Sequence, residues 1–159
     1  MPRRSIKNKR VVGADPVFDS VLVNKLVNRV MKDGKKTVAR KHVYTALELI
    51  AKEKKMDALL LLEKAIENIK PKMEVRSRRV GGAAYQVPRS VDEKRQLSLA
   101  IRWLVFQSRL RPNKEYHTFA EKLAAELLSA LKGEGGAITK REEAEKLAAA
   151  NKAFAHLRW

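Results

Sequence analysis

Residues 72–88 read Lys-Met-Glu-Val-Arg-Ser-Arg-Arg-Val-Gly-Gly-Ala-Ala-Tyr-Gln-Val-Pro. Gly81-Gly82 supplies the positive φ angles of a two-residue turn, and β-branched and aromatic residues flank it on both sides, so the stretch predicts a β-hairpin. With the glycines as the loop, Arg78 falls opposite Tyr85 and Arg76 opposite Val87. Arg76, Arg78 and Tyr85 then share one face while Arg79 takes the other. Charges on an exposed ribbon discourage edge-to-edge pairing. That role asks for one or two, whereas here Arg76, Arg78 and Arg79 fall within four residues beside an aromatic. Guanidinium forks suit phosphate oxygens and aromatic faces suit bases, so the hairpin is read as an arm that docks on nucleic acid.

Working outward, almost everything else is patterned as helix. Phe18, Leu22, Leu26 and Val30 recur every four residues after the entry signal Asp15-Pro16, with Asp19 as a second candidate cap. Gly34 ends this first helix, and Thr37 is expected to cap a second whose inward set is Ala39, Val43, Ala46, Leu47 and Ile50. Asp57 opens a third through Leu59, Leu62, Ala65, Ile66 and Ile69, halted by Pro71. The run Leu59 to Leu62 is apolar all round, so this helix should be deeply buried against at least two neighbours. After the hairpin, Ser90-Val91-Asp92-Glu93 fits a capping box, and helix four runs to about Leu110 with Leu97, Ala100, Ile101, Leu104 and Val105 inward. Helix five is expected from Asn113 or Lys114, with Phe119, Leu123, Leu127 and Leu131 inward. Helix six is expected from a capping box at Thr139-Lys140-Arg141-Glu142, with Leu147 and Phe154 as anchors. The fold class is mainly α: a single domain of about six helices over residues 13–159, a two-stranded hairpin at about 72–88 between helices three and four, and a flexible basic arm at 1–12.

The chain has 159 residues, no cysteine and a formal net charge of +17 at pH 7. Such self-repulsion is usually tolerated for a polyanionic partner. The excess is regional. Residues 115–150 carry five Lys or Arg against seven Asp or Glu, while residues 1–114 carry 28 against 11. Arg3, Arg4, Lys7, Lys9 and Arg10 crowd the arm. Lys35 and Lys36 sit at the turn before helix two, where free N–H groups favour anions. Arg95, Arg102 and Arg109, seven apart, align along helix four.

Without cysteine there are no disulfides or thiolate sites. His42, His117 and His156 show no metal-ligand spacing, no phosphate-cradling glycine motif occurs, and paired carboxylates such as Glu142-Glu143 suit a helix N-terminus. The expectation is a non-enzyme with no cofactor, no metal and no small-molecule substrate. No apolar run approaches a membrane span of about 20 residues, and the N-terminus lacks a secretory h-region, so no membrane partner is expected. An architectural DNA-binding protein is the alternative reading. The lack of an apolar wedge at the Gly81-Gly82-Ala83 tip argues against it.

The quoted residues, taken together, resemble the bacterial small-subunit ribosomal protein seven family over essentially the whole chain. The matching segments are Met1-Pro2-Arg3-Arg4, Asp33-Gly34-Lys35-Lys36, Val75 to Gly82 with Tyr85-Gln86-Val87-Pro88, Arg102-Trp103, Ala150 to His156, and Arg158-Trp159. The resemblance implies a cytoplasmic ribosomal protein, a primary binder of the 3′ major domain of 16S rRNA that nucleates the 30S head near the decoding region. It also implies exit-site tRNA and mRNA nearby, with small-subunit proteins number eleven and number nine as neighbours. Arg3, Arg4, Lys35, Lys36, Arg76, Arg78, Arg79 and Arg102 become its rRNA contacts, and Lys152 and Arg158 its tRNA-side residues. The hairpin tip, Gly81 and Gly82, is assigned to tRNA or mRNA proximity. Phe106-Gln107-Ser108 departs from the small and basic stretch usual there.

Overall fold

A computed structural model describes residues 12–157. Its elements are α1 (Val21–Val30), α2 (Lys36–Lys54), α3 (Ala58–Ile69), β1 (Met73–Val80), β2 (Ala83–Ser90), α4 (Glu93–Leu110), α5 (Phe119–Leu131), α6 (Gly136–Ala150) and a closing 3-10 helix, Lys152–Leu157. The mainly helical class, with one antiparallel hairpin between α3 and α4, is as expected.

Helices α3 and α5 share the centre, and each also packs on α2, α4 and α6. Leu26, Leu47, Ile50, Leu62, Ile69, Leu104, Leu123 and Leu127 are fully buried in one cluster drawn from all six helices. The α2 set Ala39, Val43, Ala46, Leu47 and Ile50 is buried throughout, as its period requires. In α3, Leu61 and Leu62 are buried but Leu60 is half exposed, because no neighbour covers its outer side. Asn68 Nδ2 donates to Ala130 O at 3.0 Å, and Arg141 Nη1 donates to Asn68 O at 2.5 Å, tying α3 to α5 and α6.

Several helix starts differ from expectation, each for a local reason. Asp15 does not open α1: its carboxylate accepts from Val17 N and Phe18 N in a turn, and Asp19 at φ 44° breaks the chain before Ser20. Lys35, not Thr37, occupies the cap of α2, its carbonyl accepting from Ala39 N. The capping box expected at Ser90 does not form, since Ser90 is still paired with Met73 in the hairpin and Asp92 takes the cap position through its carbonyl. Helix α5 starts at Phe119 rather than Asn113, where Thr118 and Glu121 make a capping box the sequence reading passed over. The preceding loop is held instead by Lys122 Nζ, which donates to Arg111 O and Asn113 Oδ1. The Thr118 backbone and hydroxyl bonds, with the His117 N–H, hold Glu121 below its ordinary carboxylate value.

Helix α6 starts at Gly136, ahead of Thr139, because a carboxylate from another helix serves its first turn: Glu126 Oε1 accepts from Ala137 N at 2.9 Å. Leu147 is exposed rather than an anchor, and the buried residues of α6 are Ala137, Ile138 and Ala148. Phe154 lies beyond α6, in the 3-10 helix, against Tyr85 of the hairpin.

Candidate nucleic-acid interface

The hairpin forms in the expected register, Arg76↔Val87 and Arg78↔Tyr85, around Gly81 and Gly82 at φ 57° and 89°. Those left-handed values, which glycine adopts without a Cβ penalty, close the two-residue loop. Gly81, Gly82, Ala83 and Ala84 are exposed, so the tip presents backbone rather than large side chains.

At its root the hairpin is clamped to α4. Glu74 is buried, and its Oε1 accepts from Arg76 Nε at 2.7 Å while Oε2 accepts from Arg95 Nε at 2.7 Å. Burial pushes the Glu74 carboxyl up, but the hydrogen bonds and charges of Arg95 and Arg76 outweigh it and hold the group below its ordinary value of 4.5. Arg76 and Arg95 are therefore not simple surface cations. Both bonds run through Nε, so they do not consume the terminal Nη groups, which the clamp presents at fixed positions. Tyr85 also has a partner within the chain: its half-buried ring packs on Phe154 with centroids 5.2 Å apart, so it docks the 3-10 helix against the hairpin.

From this clamp a line of cations follows α4. Lys94, on its first turn, lines a groove of about 380 Å³ with Lys25 and Arg29 of α1. Arg102 is exposed at mid-helix. Arg109, exposed near the end, donates from Nη2 to Val30 O at 3.1 Å and so brings the α1–α2 turn alongside. There Arg109, Lys32 and Lys35 line a second cavity. Lys36 is half-buried in the first turn of α2. The fold thus gathers the hairpin root, Arg95, Arg102, Arg109 and Lys35 along one helix pair.

Lys25, Arg29, Lys32 and Lys94 were missed from sequence. Lys25 and Arg29 are four apart on α1, a spacing that places them on one face, but nothing local marks that face as lying beside α4. Phe106 was noted only as a departure, and it stands 53% exposed between Arg102 and Arg109, one helical turn from each. Arg79 is exposed on the opposite hairpin face from Arg78, and Lys152 is exposed at the start of the 3-10 helix, away from the α1–α4 line. Arg3, Arg4, Lys7, Lys9, Arg10 and Arg158 lie outside the described residues. Among the described residues no group of three His, Asp or Glu side chains could hold a metal, and no helix is long and apolar enough to cross a membrane.

With this geometry in place, the comparisons with known proteins are decisive. The family described as Ribosomal protein S7p/S5e matches residues 2–152. The chain belongs to this family. It is similar to small ribosomal subunit protein uS7 of Dictyoglomus thermophilum, at 54% identity over 159 residues and the full length of both chains. It is equally similar to uS7A of Aquifex aeolicus, 54% over 160 residues, and is 52% identical to uS7 of Thermodesulfovibrio yellowstonii over 159, again at full length. As a member of a ribosomal family the chain is a structural constituent of the small subunit, an RNA-binding component of the translation machinery rather than an enzyme.

Proposed function

We propose that the chain is a primary binder of 16S rRNA, seated on the 3′ major domain in the cytoplasmic ribosome, where it nucleates assembly of the 30S head. The observation that carries this reading is the continuous cationic line from the Glu74 clamp along α4 to Lys35 at the α1–α2 turn. A surface of one sign over a rigid helix pair suits folded RNA. The deep, narrow major groove of an RNA helix hides base edges and leaves phosphates and shape to be recognised.

In the same reading the hairpin tip, bare of large side chains, lies near exit-site tRNA and mRNA, with Lys152 and Arg158 as tRNA-side contacts. The near-neutral α5–α6 side faces away from rRNA. Small-subunit proteins number eleven and number nine are the proposed protein neighbours.

The test is filter binding of a head-domain rRNA fragment across a salt series, comparing the full chain with a Lys35→Ala, Arg79→Ala, Arg102→Ala triple variant. Each lost phosphate contact should flatten the slope of log K against log[salt] by roughly 0.7–0.9. An unchanged slope and affinity overturns the proposal, and a preference for competing duplex DNA at physiological salt would favour an architectural DNA-binding role instead.

A further inference from the structure

The cavity at the α1–α2 turn is built differently from the rest of the cationic line. It holds about 260 Å³ and is lined by Val30, Val38, Ala39, His42 and Phe119, with Lys32, Lys35 and Arg109 also contributing. His42 and Phe119 meet edge to face, ring centroids 6.1 Å apart at 86°. No carboxylate among the described residues lines it. Val38 is 51% exposed.

Three properties restrict the occupant. The volume lies below the roughly 300–1,000 Å³ of sites that enclose a drug-sized ligand, so it suits a single flat ring system. The walls are apolar and aromatic, which suits a π face. Three cations on the lining, against the single nearby acid Asp33 in the turn and off the lining, favour an anionic tether. A base on a phosphodiester backbone meets all three. A single-stranded or bulged nucleotide can turn its base out of the stack at little cost. A neutral aromatic side chain from a protein would leave the lysines without a counter-charge.

We infer that this cleft receives one unpaired RNA base, with the flanking phosphates on Lys32, Lys35 and Arg109. The inference rests on the rRNA-binding reading and deepens it: the chain anchors its RNA at one nucleotide as well as along a phosphate track. The base enters past Val38 and packs on the apolar and aromatic lining, and Lys35, at the cap of α2, adds the helix N-terminus to the phosphate side. Stacking is insensitive to salt, whereas the lysine contacts are not.

Two measurements test it. In the first, small subunits assembled with the chain are irradiated with ultraviolet light and the nucleotide-bearing peptides are mapped by mass spectrometry. Adducts are expected on His42 or Phe119 as well as on the hairpin. In the second, Val38→Asn, a neutral change at a half-exposed site, should weaken binding of the head-domain fragment about 5-fold or more with the salt slope unchanged. Leu60→Asn, at a comparably exposed apolar position on α3 outside the cleft, should bind like the parent chain. Hairpin adducts without cleft adducts, together with parental affinity for Val38→Asn, overturn the cleft and leave the rRNA reading standing. Absence of any adduct and of fragment binding overturns both.

Discussion

Glu74 is the residue whose replacement discriminates most sharply between a designed clamp and an incidental ion pair. Glu74→Gln keeps the shape of the side chain and removes its charge, so it mimics the protonated acid. The carboxylate accepts two charge-assisted bonds of 2.7 Å from Arg76 and Arg95, whose side chains are 46% and 45% exposed. Bonds to charged groups contribute about 1.5–3 kcal/mol each when well shielded. Half-exposed arginines recover much of that from water, so the net loss is about 1–2 kcal/mol. For a chain of this length that lowers Tm by about 2–8 °C at pH 7. The sign with pH follows from the direction of the shift. The folded group titrates below its ordinary value of 4.5, so its stabilisation is complete above that value and is lost as pH falls through the folded pKa. Thermal melts by circular dichroism at stepped pH should therefore show the variant less stable at pH 7 and the two curves converging at strongly acid pH. Amide exchange should rise first at the hairpin root. Equal Tm at pH 7, or a deficit that persists undiminished where Glu74 is protonated, would refute the clamp.

Glu126→Ala should be much more damaging, about 3–5 kcal/mol, because it strands the largely buried Arg111 and removes the acceptor for Ala137 N; chemical denaturation measures it, and α6 should exchange fastest. Phe154→Ala should release the 3-10 helix from Tyr85 at about 0.5–1.5 kcal/mol, read as a change in Tyr85 fluorescence with little change in global Tm. Phe106→Gln removes an exposed aromatic from between Arg102 and Arg109. It should weaken binding to a head-domain fragment by about 1–3 kcal/mol while leaving the salt slope unchanged, and a changed slope would show that the ring only positions its arginines.

What was legible in the sequence was set by short-range rules. The hairpin register followed from Gly81-Gly82 and a period of two, and the α2 core from a period of 3.6, because both depend on neighbours within a turn or two. Deep burial of α3 was legible, but the exposure of Leu60 was not, since an all-apolar helix carries no mark of its open side. The start of α5 was misread because Pro112-Asn113 resembles a helix entry as strongly as Thr118 with Glu121 does, and tertiary bonds from Lys122 settled it. Leu147 misled for the opposite reason: α6 packs by Ile138 and by Ala137 and Ala148, whose small side chains let it approach closely, and Leu147 is left outside.

The arginine count was the least legible part of the site, and it changes how the +17 charge is understood. Each of three buried carboxylates faces arginine: Asp15 approaches Arg40 at 3.8 Å, Glu74 holds Arg76 and Arg95, and Glu126 holds Arg111. Asp15 is further fixed by the Tyr44 hydroxyl, which donates at 2.6 Å; burial first, and then that bond, push the phenol above its ordinary 10.0. Arg76 lies two residues from Glu74 on one face of β1, whereas Arg40, Tyr44, Arg95 and Arg111 lie 15 to 29 residues from their carboxylates and only the fold brings them together. Arg40 and Arg111 therefore serve the packing of the chain, while Arg76 and Arg95 serve both the clamp and the surface. In the proposed rRNA-binding reading, the cations offered to phosphate include Lys25, Arg29, Lys32, Lys35, Lys94, Arg102 and Arg109, on α1, α4 and the turn between α1 and α2, besides Arg79 on the hairpin. Because that set sits on a rigid helix pair and the hairpin is clamped to the same pair through Arg95, movement of the arm is coupled to the cationic track. Loosening the clamp should then misplace the hairpin and the phosphate contacts proposed for Arg76 and Arg79 with it: affinity falls, and the salt slope flattens.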